Sequence, residues 1–236
     1  MSYQQPGYLL RTAFREMMKG VCTCSPGYVV IFDPALQRAQ VRVGIQTVDV
    51  NGVASALPPI ADVPVLFLGG TQFTVAHQIN PGDEGMILFS QRCVDGWKQT
   101  GGLAVNPLTR FHSMHDAFFI PGFRPLPTRI SGFTNDGIRM QSRDGERHVW
   151  IKQSGEIVAD NGEARVQISA GGDVNIENGA GYIRLGVDGR VNINGAIINA
   201  DGTIEAPNVT FGGVSGNDHR HTNVQPGSGT SGGPTN

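Results

Sequence analysis

Near the C-terminus, His219 and His221 flank Arg220 in a stretch that is otherwise mostly glycine, serine, threonine, asparagine and proline. On an extended backbone, residues i and i+2 project to the same side, so both imidazoles can reach one ion. One chain offers two nitrogens. Three chains around a threefold axis would offer six, an octahedral set that suits iron or another first-row metal better than tetrahedral zinc. Arg220 would then face outward, and Asp218 could orient a ligand. The alternative is a solvated pair of histidines. His112-x-x-His115-Asp116 is a second cluster, but it sits among Phe111, Phe118 and Phe119 with no helix to converge the histidines, so packing or a turn hydrogen bond is expected. Cys22-x-Cys24 lacks a second ligand pair for zinc and Cys93 is remote, so these thiols read as structural or incidental. Asp173, Glu177 and Asp188 could pair as glycosidase carboxylates, but they fall in or beside turns, where solvation is the expected role. Asn208-Val209-Thr210 matches a glycosylation sequon without any sign of secretion. No P-loop, nucleophile elbow, HExxH or dinucleotide fingerprint is present, and no catalytic site is expected.

The 236 residues must position these groups with little charge. Lys plus Arg is 18 and Asp plus Glu is 20, a net charge of −2 that leaves the whole chain no cationic surplus for nucleic acid or an acidic membrane. Glycine (33) and proline (14) disfavour a helical protein, since a mid-helix glycine costs about 1 kcal/mol against alanine. No apolar run approaches the ~20 residues of a membrane helix, and no signal peptide is expected. Three cysteines make no disulfide framework and fit synthesis in a reducing compartment.

The chain divides near residue 125. Thirteen of the 17 aromatic residues lie before that point, and only Phe133, Trp150, Tyr182 and Phe211 follow. The first half carries 9 basic and 8 acidic residues, the second 9 and 12, so neither half is a charge-driven binder. Leu9, Leu10, Ala13, Phe14, Met17 and Met18 form one apolar stripe of a helix that residues 22–26 end. Strands are expected at 28–32, 37–50, 63–68, 73–76 and 84–91, with turns at Asp33-Pro34, Asn51-Gly52 and Pro81-Gly82-Asp83. Five short strands in under 100 residues predict a small closed or nearly closed barrel. Residues 106–127 read as a proline-punctuated connector.

Beyond residue 131, pairs such as Val166-x-Ile168, Val174-x-Ile176, Ile183-x-Leu185 and Val191-x-Ile193 each place aliphatic side chains on one strand face. Breaks at Gly171-Gly172-Asp173, Asn178-Gly179, Asp188-Gly189, Asn194-Gly195 and Asp201-Gly202 separate them every 6–10 residues or so. Such short, aromatic-poor strands cannot enclose a core within one chain. A homotrimer sharing an axial core is the economical solution, a single-chain β-helix the alternative.

Several blocks carry a family resemblance. They are Pro26-Gly27-Tyr28-Val29 with Phe32-Asp33-Pro34, Ile60-Ala61-Asp62-Val63-Pro64-Val65, Pro81-Gly82-Asp83-Glu84-Gly85, Arg92-Cys93-Val94-Asp95-Gly96-Trp97, and Arg110-Phe111-His112 through Phe118. At the C-terminus stands His219-Arg220-His221-Thr222 followed by Gln225-Pro226-Gly227. With these the chain resembles the membrane-piercing central spike proteins of contractile-tailed bacteriophages, the baseplate assembly protein V type. The resemblance implies a mainly β chain with a helical segment at 1–25, an oligonucleotide-binding-type barrel and connector at 26–125, an intertwined trimeric β-helix at 126–211 and a metal-capped tip at 212–236. It further implies a homotrimer docked to the baseplate hub, one iron per trimer held by His219 and His221 of three chains, and a virion component that pierces the host outer membrane mechanically, without enzymatic activity or nucleic-acid binding. A trimeric tail spike that binds or cleaves host polysaccharide is the alternative.

Overall fold

The computed structural model describes residues 6–217 and Gly227. The chain forms two compact units that divide between Arg129 and Ile130.

The first unit opens with helix α1 (Pro6–Lys19), whose proline occupies the first position, where no intrahelical N–H is needed. Strand β1 (Cys24–Asp33) pairs antiparallel with β2 (Arg38–Val43), which pairs with β5 (Ile60–Pro64). Between them β3 (Thr47–Val48) and β4 (Ala54–Ser55) form an exposed hairpin, and β6 (Leu68–Gly69) and β7 (Thr74–Val75) form another. The other side of β1 pairs with β8 (Glu84–Phe89), and β8 with β9 (Ala117–Pro121). The resulting order β5-β2-β1-β8-β9 curls into a half-barrel. Its two edges meet through a parallel bridge between Val65 and Phe119, where Leu66 N donates to Phe119 O at 2.9 Å. Alternation supplies the core: Val29, Val41, Val63, Ile87 and Phe119 point inward and are at most 1% exposed. Gly27 and Gly85 face each other across β1 and β8. A Cβ on Gly27 would lie 2.6 Å from Arg42 O, and one on Gly85 2.6 Å from Phe119 Cζ. Only glycine lets the backbone approach the core this closely.

Two expectations change here. Residues 106–127 are not simply a connector, because β9 lies within them and contributes Ala117 and Phe119 to the core. Residues 37–50 are not one strand, because β2 ends at Val43 and an exposed hairpin follows. A short helix, α2 (Asp95–Thr100), also stands where none was expected.

The second unit is a single antiparallel meander. Its nine strands are β10 (Ile138–Gln141), β11 (His148–Ile151), β12 (Ile157–Asp160), β13 (Arg165–Ile168), β14 (Val174–Glu177), β15 (Tyr182–Leu185), β16 (Val191–Ile193), β17 (Ala196–Ile198) and β18 (Ile204–Glu205). They pair strictly in sequence order. A separate hairpin, β19 (Thr210–Phe211) and β20 (Val214–Ser215), follows. Both long edges of each inner strand in residues 138–205 are occupied by strands of the same chain.

One turn type recurs along one side of this sheet. The N–H groups of Lys152, Ser169, Gly186 and Asn199 donate to the carbonyls four residues on, at 2.8–2.9 Å. The fourth residue of each turn is Gly155, Gly172, Gly189 or Gly202, with φ between 81° and 98°, a left-handed conformation that favours glycine. These turns begin at 152, 169, 186 and 199, so the chain repeats every 17, 17 and then 13 residues. Each repeat is two strands and two turns, a period that the 6–10-residue spacing of breaks concealed.

Candidate functional site

The register of the meander aligns its aliphatic side chains into two continuous cross-strand rows. The first runs Ile138, Ile151, Ile157, Ile168, Val174, Leu185, Val191, Ile198, Ile204. The second runs Met140, Val149, Ala159, Val166, Ile176, Ile183, Ile193, Ala196. Residues two apart on a strand share a face, so both rows lie side by side on one face, and every position in them is apolar. The opposite face is mixed and largely polar, with Arg139, Trp150, Gln167, Asn175, Arg184 and Asn192 in its central row. Trp150 is fixed there: its indole N–H donates to Asp136 O, with Arg139 and Lys152 over its ring.

Nothing among the described residues of the second unit covers the apolar face. Among its described residues only Val158, on the other face, is a buried hydrophobic. Ile168 and Ile198 remain 39% exposed, Ile183 and Ile193 43%, and Ile138 72%. Strand spacing makes the face roughly 40 Å long and 10 Å wide, comparable to the largest apolar patch on a typical monomer, which is often functional. Burying the exposed halves of these side chains is worth on the order of 10 kcal/mol per chain before association costs.

The first unit contains a buried ion-pair clasp. Asp116 is fully enclosed. Arg110 grips it through Nε at 3.0 Å and Nη2 at 2.7 Å, while Nη2 also reaches Asp95 at 2.8 Å. Val94 N donates to the same carboxylate at 3.1 Å. The Arg110 guanidinium holds the Asp116 carboxyl below the usual carboxylate range, and Asp116 and Asp95 in turn raise the pKa of Arg110. Cys93, Asp95 and Asp116 bring possible ligand atoms within 4.8 Å of one another. The arginine already occupies both carboxylates, so the cluster is a buckle between the loops around residues 94 and 112, not a cation cage. Sequence reading placed Asp116 with the histidines and missed Arg110, six residues earlier, as its partner.

His219 and His221, with Asp218 and Arg220, lie outside the described residues. His112 and His115 do not converge on a site. His112 Nδ1 donates to Cys22 O at 3.1 Å, Cys22 N donates back to His112 O, and His115 is exposed. This clasp ties the segment after α1 to the half-barrel through a long-range hydrogen bond rather than the turn hydrogen bond expected. Cys24 is exposed and Cys93 buried, and both are free thiols. Asp173 accepts from Val187 N and pairs with Arg184 at 3.6 Å, and Asp188 accepts from Arg190 N. Glu177 is exposed at the end of β14. The carboxyls of Asp144, Glu156 and Asp201 are likewise held below their usual range, chiefly by hydrogen bonds from Ser142, Lys152 and Thr203. A general acid requires the opposite shift.

Comparison with known proteins finds one match, within the first unit. None of the curated proteins matches the chain. Residues 25–122, spanning β1 to β9, match the family model described as the phage protein Gp138 N-terminal domain, and this match supports a phage structural protein.

Proposed function

We propose that the chain is the central spike at the tip of a contractile phage tail, acting as a homotrimer. Three meanders would stand as the walls of a prism with their apolar faces on the axis, and their strands would remain paired within each chain. The two uninterrupted apolar rows carry this reading, because the described residues of the second unit leave them uncovered. A prism of this kind forms a triangular β-helix with polar outer walls. Nine strands give a wall of about 40 Å, longer than the ~30 Å hydrocarbon core of a membrane. Polar walls do not partition into lipid, so passage through the host outer membrane takes mechanical work from the contracting tail.

The half-barrel is read as an oligonucleotide-binding-type barrel, on the strength of its strand order and its parallel closure at Val65 and Phe119. Its role is to dock on the baseplate hub. Nine basic against eight acidic residues up to position 125 leave little counterion release to drive nucleic-acid binding. His219 and His221 from three chains would hold one iron at the tip, a reading supported by the donor set and its i, i+2 spacing. No reaction is assigned to the chain.

Ile183 tests the proposal. Ile183→Asp places three carboxylates near one axis and is expected to abolish the trimer, whereas Arg184→Ala, one residue away on the other face, leaves it intact. Soluble, well-folded trimers of Ile183→Asp would refute the axial arrangement.

A further inference from the structure

The net charge of −2 belongs to the whole chain and conceals the composition of α1. This helix carries Arg11, Arg15 and Lys19 against Glu16 alone. Lys19 is already paired with Glu16 at 2.7 Å, and neither arginine has a carboxylate partner among the described residues. Its apolar side chains all lie bare: Leu9 is 54% exposed, Leu10 73%, Phe14 62%, Met17 74% and Met18 50%. At 100° per residue these five and Ala13 cover about half the helix circumference, with the three cations opposite or at its margin. A coiled-coil seam is narrower than this. A 14-residue helix is also marginal in water without a surface to lie on.

A half-circle of apolar side chains backed by unpaired guanidiniums is the pattern of a helix lying in a membrane interface. We propose that α1 is an interfacial anchor for an anionic bilayer surface, with Leu10, Phe14 and Met17 in the acyl boundary and Arg11 and Arg15 on lipid phosphates. The guanidinium fork suits phosphate oxygens, and each such cation near an anionic surface supplies about fivefold in affinity. This inference rests on the first unit alone and is independent of the trimer.

The test uses the full chain with vesicles of phosphatidylcholine, alone or mixed with phosphatidylglycerol. Flotation with the mixed vesicles is expected at low salt, with strong loss at high salt as the charges are screened. Phe14→Glu is expected to abolish flotation, and Arg11→Glu with Arg15→Glu to reduce it at least tenfold, both with unchanged far-ultraviolet dichroism. Bound vesicles should also protect Arg11 and Arg15 from trypsin. Three results would each overturn the proposal: no flotation of the wild-type chain, equal binding to neutral vesicles, or undiminished binding by Phe14→Glu. A fall in oligomeric mass of Phe14→Glu without lipid would assign the helix to a second copy of the chain instead, and would overturn it too.

Discussion

Arg110 and Asp116 show how one residue pair can hold a loop-rich edge in place. Removing the arginine leaves an enclosed carboxylate with only Val94 N as a donor, so Arg110→Met is expected to cost about 3–5 kcal/mol. The pH dependence follows from the direction of the shift. In the wild type the folded-state pKa of Asp116 lies below its unfolded value, so the clasp stabilises above about pH 4 and that contribution is lost as pH falls through the folded value. In Arg110→Met, burial raises the pKa above the unfolded value, and the sign reverses: acidification from pH 7 towards pH 4.5 stabilises the variant. Urea melts of the full chain carrying Trp150→Phe, so that emission reports Trp97 alone, should show these opposite slopes, and a variant that keeps the wild-type acid slope would contradict this assignment. This pair was not legible in the sequence. Its partners are six residues apart across an irregular loop, with no periodicity to join them, and the neighbouring histidines drew attention instead.

At the scale of elements, period-two alternation was the strongest signal. It picked out the aliphatic pairs from Val166 to Ile193, because in a strand each such pair must share a face. The register that joins them into unbroken rows depends on turn geometry, which the sequence marks only through glycines such as Gly172 and Gly189. Strand β9 escaped detection because Pro121 ends it and the prolines at 107 and 125 flank it, so its inward Ala117 and Phe119 looked like connector. Helix α2 is only six residues long, too short for a helical period. Strands β1 and β8 make their own prediction. Gly85→Ala forces a methyl group against Phe119 and the backbone of β9, and is expected to cost at least about 1–3 kcal/mol. Gly82→Ala, with open space around its Cβ, should cost only the left-handed backbone penalty, about 1 kcal/mol. Equal denaturation midpoints for Gly85→Ala and the wild type would show that the half-barrel does not close as described.

For the whole molecule, the sequence conveyed that the second unit lacks a core of its own, and the exposed rows agree with that. Whether three copies supply the core is a property of the assembly, which local patterns cannot encode beyond leaving a face uncovered. The proposed metal site would depend on the same assembly, since two histidines per chain would become six donors only around an axis. One iron per three chains is expected by elemental analysis, and His219→Ala with His221→Ala should remove it while the trimer persists on its aliphatic rows. Unchanged iron in that double variant would move the metal elsewhere. The most direct measurement is the solution mass of the full-length chain by light scattering coupled to size exclusion. A single species at three times the 25.2 kDa chain mass is expected across a wide dilution range, and a monodisperse 25.2 kDa monomer would contradict the trimer.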